Sequence, residues 1–189
     1  MTIANRMGGT DRSTSLRSDE RSTSPKSVFH IPGMRVPLHR NTQHALAKSS
    51  LGVKIGAPFD HDADGPGGWW VIFEPELHLG EDILVPDLAG WRRGHMPDFP
   101  EAAYCTLAPD WVCEVLSPST RKLDLHGKRP VYAREGVGHL WLVDPVERPL
   151  EAFELREGEW VPTASARDDA PVRTRPFEAV SVSLGALWP

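Results

Sequence analysis

Trp111-Val112-Cys113-Glu114-Val115-Leu116, followed at once by Ser117-Pro118-Ser119-Thr120, is the stretch from which the fold can be read. A short, almost wholly apolar run stopped by turn formers is the mark of a strand buried at the centre of a sheet. Arg121 to Arg134 then reads as helical despite Gly127 and Pro130. His139 to Val143 is a second buried strand, ended by Asp144-Pro145.

Upstream, apolar and polar residues alternate from Trp70 to Leu79, the period of a half-buried strand. Gly80-Glu81-Asp82 turns that strand into a second one, Ile83–Arg92, so the pair reads as a hairpin. Residues 94–109 hold three prolines and read as a long loop. His39 to Ile55, with Ala45, Leu51 and Ile55 among small and polar residues, reads as a helix capped by Asn41. Residues 60–68, rich in Asp and Gly, are a turn-forming loop. Downstream, Leu150–Arg156 and Trp160–Ala164 are strands joined through Glu157-Gly158-Glu159. Helix, hairpin, strand, helix, strand is the order of an α/β domain with a mixed β-sheet core flanked by helices.

The chain has 189 residues, 40% hydrophobic and 25% charged, which suits one domain with a packed core. The first 27 residues contain ten Ser/Thr and almost no apolar bulk, too little to offset the entropy of ordering. Residues 1–38 are therefore expected to be a disordered basic leader, and residues 39–189 the domain. The net charge of −5 is unevenly spread: residues 1–50 carry eight Lys/Arg against three acids, and the remainder is strongly acidic. A plain nucleic-acid coat does not look like this; contact with nucleic acid would need a local basic strip or a metal ion. No apolar run is long enough to span a membrane, no signal-peptide core opens the chain, and two cysteines make no disulfide framework. Cytoplasmic localisation with reduced thiols is the expectation.

Two acids stand in apolar strands where acids are costly. Asp87 in Ile83-Leu84-Val85-Pro86-Asp87-Leu88-Ala89 shares a face with Ile83, Val85 and Ala89, and Glu114 shares one with Val112 and Leu116. A buried carboxylate costs several kcal/mol unless a cation or donors meet it. Two on neighbouring strands call for a shared positive charge, which a divalent ion with hard oxygen ligands supplies. Taken singly, each acid reads better as a hydrogen-bonded turn former or as the partner of Arg121, Lys122 or Lys128; together, near the ends of apolar strands, they point to a site. Ser117 to Arg134 carries five basic residues against Asp124 alone, a strip able to hold a phosphodiester backbone. It is also readable as a solvated helix face with an Asp124–Lys128 pair.

Val85-Pro86-Asp87-Leu88, the block from Ala108 through Glu114-Val115-Leu116-Ser117-Pro118-Ser119-Thr120, then Asp124, Lys128, Tyr132, Gly136-Val137 and Trp141-Leu142-Val143-Asp144-Pro145 together resemble one family. It is the Uma2 family of restriction-endonuclease-like proteins, in the PD-(D/E)XK nuclease superfamily; the resemblance covers about Thr42 to Leu187. It implies a restriction-endonuclease-like mixed sheet and a metal-dependent endonuclease hydrolysing DNA phosphodiester bonds. By that likeness Asp87 and Glu114 are catalytic and bind Mg²⁺ (or Mn²⁺), with the Val115 carbonyl as a further metal ligand. The superfamily's Lys, two residues after the second acid, is Leu116 here, and Lys128 resembles the relocated basic residue. Arg121, Lys122 and Arg129 are the expected nucleic-acid contacts, DNA the expected partner and a homodimer the expected assembly. The family's opening strand, with a Glu before an Asp-Gly turn, has no counterpart in Phe29–Arg40. That departure, with Leu116, motivates a second reading: a catalytically silent nuclease fold that binds nucleic acid or protein.

Other residues carry less. Glu74 and Glu76 could lend a carboxylate but read better as solvent-exposed, and His61 with its neighbouring aspartates reads as a polar turn. Cys113 alternates with Glu114 and is expected to be a core thiol. The tryptophans, Trp69, Trp70 and Trp91 among them, are expected to pack the core.

Overall fold

The computed structural model describes residues 42–61 and 65–189. The leader, Asn41, the Phe29–Arg40 stretch and Asp62 and Asp64 lie outside the described residues. Six strands form one mixed sheet in the order β1-β4-β5-β6-β7-β8. They are β1 (Trp69–Phe73), β4 (Leu88–Arg92), β5 (Trp111–Val115), β6 (His139–Val143), β7 (Pro149–Arg156) and β8 (Glu159–Arg167). Only β5 and β6 run parallel; the other neighbours are antiparallel. Helical residues Arg121–Arg134 cross over between that parallel pair.

Strand alternation sorts the core into two faces. Trp111, Cys113 and Val115 join Leu88, Trp141 and Val143 in one cluster, against helix α1 (Thr42–Phe59). Val112 joins Ala89, Leu140 and Leu142 in the other, against Val131 and Tyr132 of the crossover. Cys113 is a fully buried core thiol, and burial pushes its pKa well up. Trp69 and Trp91 are buried, while Trp70 is half-buried and donates to the Met96 carbonyl. Phe177, from the C-terminal segment, touches Phe59, Trp69, Trp111 and Trp141 with ring centroids 4.6–5.7 Å apart, closing the α1 face.

Three expectations are corrected. Helix α1 buries His44, Ala47, Leu51 and Ile55, a stripe at helical spacing, whereas Ala45 is exposed. The hairpin's long strands are each broken, by Glu74-Pro75-Glu76 and by Val85-Pro86-Asp87. The tip becomes a separate pair, β2 (Leu77–Leu79) with β3 (Asp82–Leu84). Proline has no N–H for a ladder, so each strand ends beside one. Leu84 and Ala89 point into the same cluster although five residues apart, so the alternation changes phase at the corner. Asp87 therefore keeps Ala89's side but not a common face with Ile83 and Val85. The C-terminal elements, β9 (Pro171–Val172), β10 (Val182–Ser183) and a 3₁₀ turn at Leu184–Leu187, are too short to show any period in sequence.

Candidate metal centre

The corner before β4 and the end of β5 build the site. Leu88 pairs with Cys113, so the next position in this antiparallel register sets Asp87 beside Glu114. Both are buried, at 4% and 1% exposure. The register is confirmed by a bond from the Val115 N–H to Asp87 Oδ2 at 2.9 Å. That oxygen also receives His44 Nε2 from the first turn of α1, at 3.2 Å.

The crossover supplies the countercharge. Its first turn, α2 (Arg121–Leu123), runs through a π-turn at Asp124–Lys128 into α3 (Arg129–Arg134). Pro130 has no N–H to offer the α ladder, and the Arg129 N–H reaches back five residues to the Asp124 carbonyl. Lys128, fully inside, places its ammonium 2.9 Å from Glu114 Oε2, 2.9 Å from Asp124 Oδ1 and 3.1 Å from the Val85 carbonyl. Three acceptors match the three N–H bonds of an ammonium. Tyr132, one turn further, donates to Glu114 Oε1 at 2.6 Å. The Asp124–Lys128 pair is thus real but buried, and the reading as a solvated face is corrected.

The electrostatics follow from this packing. Burial raises the Glu114 pKa; Lys128 lowers it, Asp124 and Asp87 raise it, the Tyr132 bond lowers it, and the outcome is about 8. For Lys128, burial works against the charge, but Glu114 and Asp124 outweigh it and hold the ammonium protonated. Tyr132 is pushed well up by burial and by Glu114. Burial and the neighbouring carboxylates thus outweigh Lys128 and Tyr132 at Glu114, whose carboxyl group holds its proton up to about pH 8.

The donor set fits a hard divalent ion. Asp87 and Glu114 offer carboxylate oxygens at adjoining positions, and each Glu114 oxygen retains a lone pair beyond the single bond described above. Among the described residues, no three His, Cys, Asp or Glu side chains form a ready cage. Mg²⁺ does not require one, because it keeps waters and binds through one or two carboxylates.

The basic strip divides. Arg121 pairs with Asp144, whose Oδ1 takes the Val146 and Glu147 N–H groups. Arg121, Leu116, Ser117 and Asp144 line a cleft at the C-terminal ends of β5 and β6, and Lys122 is exposed beside it. Arg129 turns the other way, its guanidinium 4.6 Å above the Phe153 ring. Glu74 pairs with Lys48 and Glu76 with His78, and Asp60 pairs with Arg93.

Sequence reasoning brought out Asp87, Glu114 and Lys128, which the structure brings together. It passed over His44, Asp124 and Tyr132 as site residues. Asp124, Lys128 and Tyr132 carried a signal, a four-residue spacing that stacks side chains on one helix face. His44 carried a fainter one, occupying the buried stripe of α1 where an apolar residue is expected.

Among solved structures, the fold is similar to that of a crystallised protein from Anabaena variabilis, described as "a putative nuclease belonging to DUF820". The TM-score is 0.65 at 20% identity, with 82% of this chain and 84% of the other covered. None of the curated proteins matches the chain. No helix among the described residues is long and apolar enough to cross a membrane. The sequence pattern of the Uma2 family, described as "putative restriction endonuclease", matches residues 32–185, and the chain belongs to that family.

Proposed function

We propose that the protein is a divalent-metal-dependent DNA endonuclease. The observation that carries this reading is the pairing of two buried carboxyl groups, Asp87 and Glu114, at one end of β4 and β5. Asp87, Glu114 and the Val115 carbonyl are the groups that would hold Mg²⁺ or Mn²⁺. When bound, such an ion supplies an acidified water and positive charge for a phosphoryl group under attack. Lys128 and Tyr132 each hold one oxygen of Glu114, so the carboxylate is oriented before any ligand arrives. The Lys128 ammonium also adds fixed positive charge against the phosphoryl oxygens. Arg121, which lines the cleft, and the exposed Lys122 that follows it would contact the DNA backbone, and Arg129 would do so only by leaving Phe153. A homodimer would present one such centre to each strand of a duplex.

Cleavage of plasmid DNA with Mg²⁺ tests the reading. Wild-type protein should cleave only with the ion present, and Glu114→Gln should not cleave; undiminished cleavage by that variant rejects the assignment. The second reading, a silent nuclease fold that binds nucleic acid or protein, is favoured by one observation: Lys128 already meets Glu114 and Asp124 as an internal cation. It predicts DNA retention on a gel without cleavage and without any effect of Mg²⁺.

A further inference from the structure

Asp87 is gripped from three elements. Its Oδ2 takes the Val115 N–H from β5 and His44 Nε2 from α1, and its main-chain carbonyl takes the Glu74 N–H, 3.1 Å away at the end of β1. Glu74 is in turn held by Lys48, one turn beyond His44 on α1. Just before it, the Phe73 ring lies so close over Gly52 that a Cβ there would stand 2.0 Å from the ring. The helix is thus docked on the strand end by Gly52 and Lys48, and His44 is delivered to the carboxylate by that docking. The imidazole is 2% exposed, too enclosed to serve as a solvent-facing group.

We propose that His44 is a positioning residue, which orients the Asp87 carboxylate from helix α1 so that it can bind a divalent ion. The inference rests on the metal-dependent reading above. A carboxylate oxygen fixed by two donors cannot rotate freely, and partners that orient metal ligands typically contribute about ten- to a hundredfold in metal affinity. A histidine that merely fills space would influence stability alone.

The test is calorimetric titration of Mn²⁺ into the full-length protein and its His44→Ala, His44→Asn and His44→Gln variants, with thermal unfolding recorded for each. Gln carries an amide nitrogen about as far out as Nε2, whereas Asn is too short to reach. The expected result is a loss of Mn²⁺ affinity of about ten- to a hundredfold in Ala and Asn and near-wild-type affinity in Gln. Should Ala fail to fold, the Asn and Gln contrast decides. Wild-type affinity in a folded Ala or Asn variant overturns the role of His44 and leaves the metal reading standing. An absence of Mn²⁺ binding in the wild type overturns both.

Discussion

Lys128 Nζ lies 2.9 Å from Glu114 Oε2 although the two residues are 14 apart in sequence. In the pattern that the sequence resemblance implies, a lysine stands two residues after the second acid, on the same strand, where this chain has Leu116. Here the charge comes back to the strand end from the crossover helix, through the π-turn at Asp124–Lys128. The same helix delivers Asp124 and Tyr132, so a four-residue spacing builds most of the Glu114 environment.

Removing that ammonium leaves buried carboxylates uncompensated. Lys128→Met should lower stability by about 3–5 kcal/mol at pH 9 in metal-free buffer, measured by urea unfolding. The loss should be smaller at pH 6, where Glu114 can take up a proton instead.

Glu114 makes stability depend on pH. Its folded pKa, about 8, lies above the ordinary 4.5, so the folded state holds the proton more tightly than the unfolded state. The group's contribution is therefore fully present below pH 4.5 and is lost as pH rises through about 8. Glu114→Gln should flatten this part of the stability profile in thermal unfolding measured across that range. A divalent ion bound to the wild type should flatten it as well, by displacing the proton.

Tyr132→Phe removes a hydrogen bond that favours the ionised carboxylate. The variant should lose about 1–3 kcal/mol at pH 9, and the pH at which the Glu114 proton is released should move upward. The checking measurement is the midpoint of the pH-dependent stability change.

Gly90 lies in β4 between two buried indoles. An added Cβ would stand 3.1 Å from Trp111 and 3.3 Å from Trp69, two rings buried in the core. Gly90→Ala should cost about 1–3 kcal/mol in chemical unfolding.

The centre of the sheet and its two acids were legible because a carboxylate inside Trp111–Leu116 contradicts its apolar surroundings. The mixed sheet followed from two apolar strands around a helix. The broken hairpin was harder: Pro86 looked like one residue in a continuous strand, yet it is the corner that turns Asp87 toward Glu114. The countercharge was read from family likeness because a charged, Gly- and Pro-containing helix resembles a solvated one until its tertiary partners are known. His44 stayed hidden because its place in the stripe of Ala47, Leu51 and Ile55 hints at burial but does not name a partner 43 residues away.

Calorimetric titration of Mg²⁺ into the wild type and Asp87→Asn tests the central claim most directly. Saturable binding in the wild type, abolished in Asp87→Asn while the variant stays folded, is the predicted result. An absence of binding in the wild type, or equal binding in both, would contradict a metal centre shared by Asp87 and Glu114.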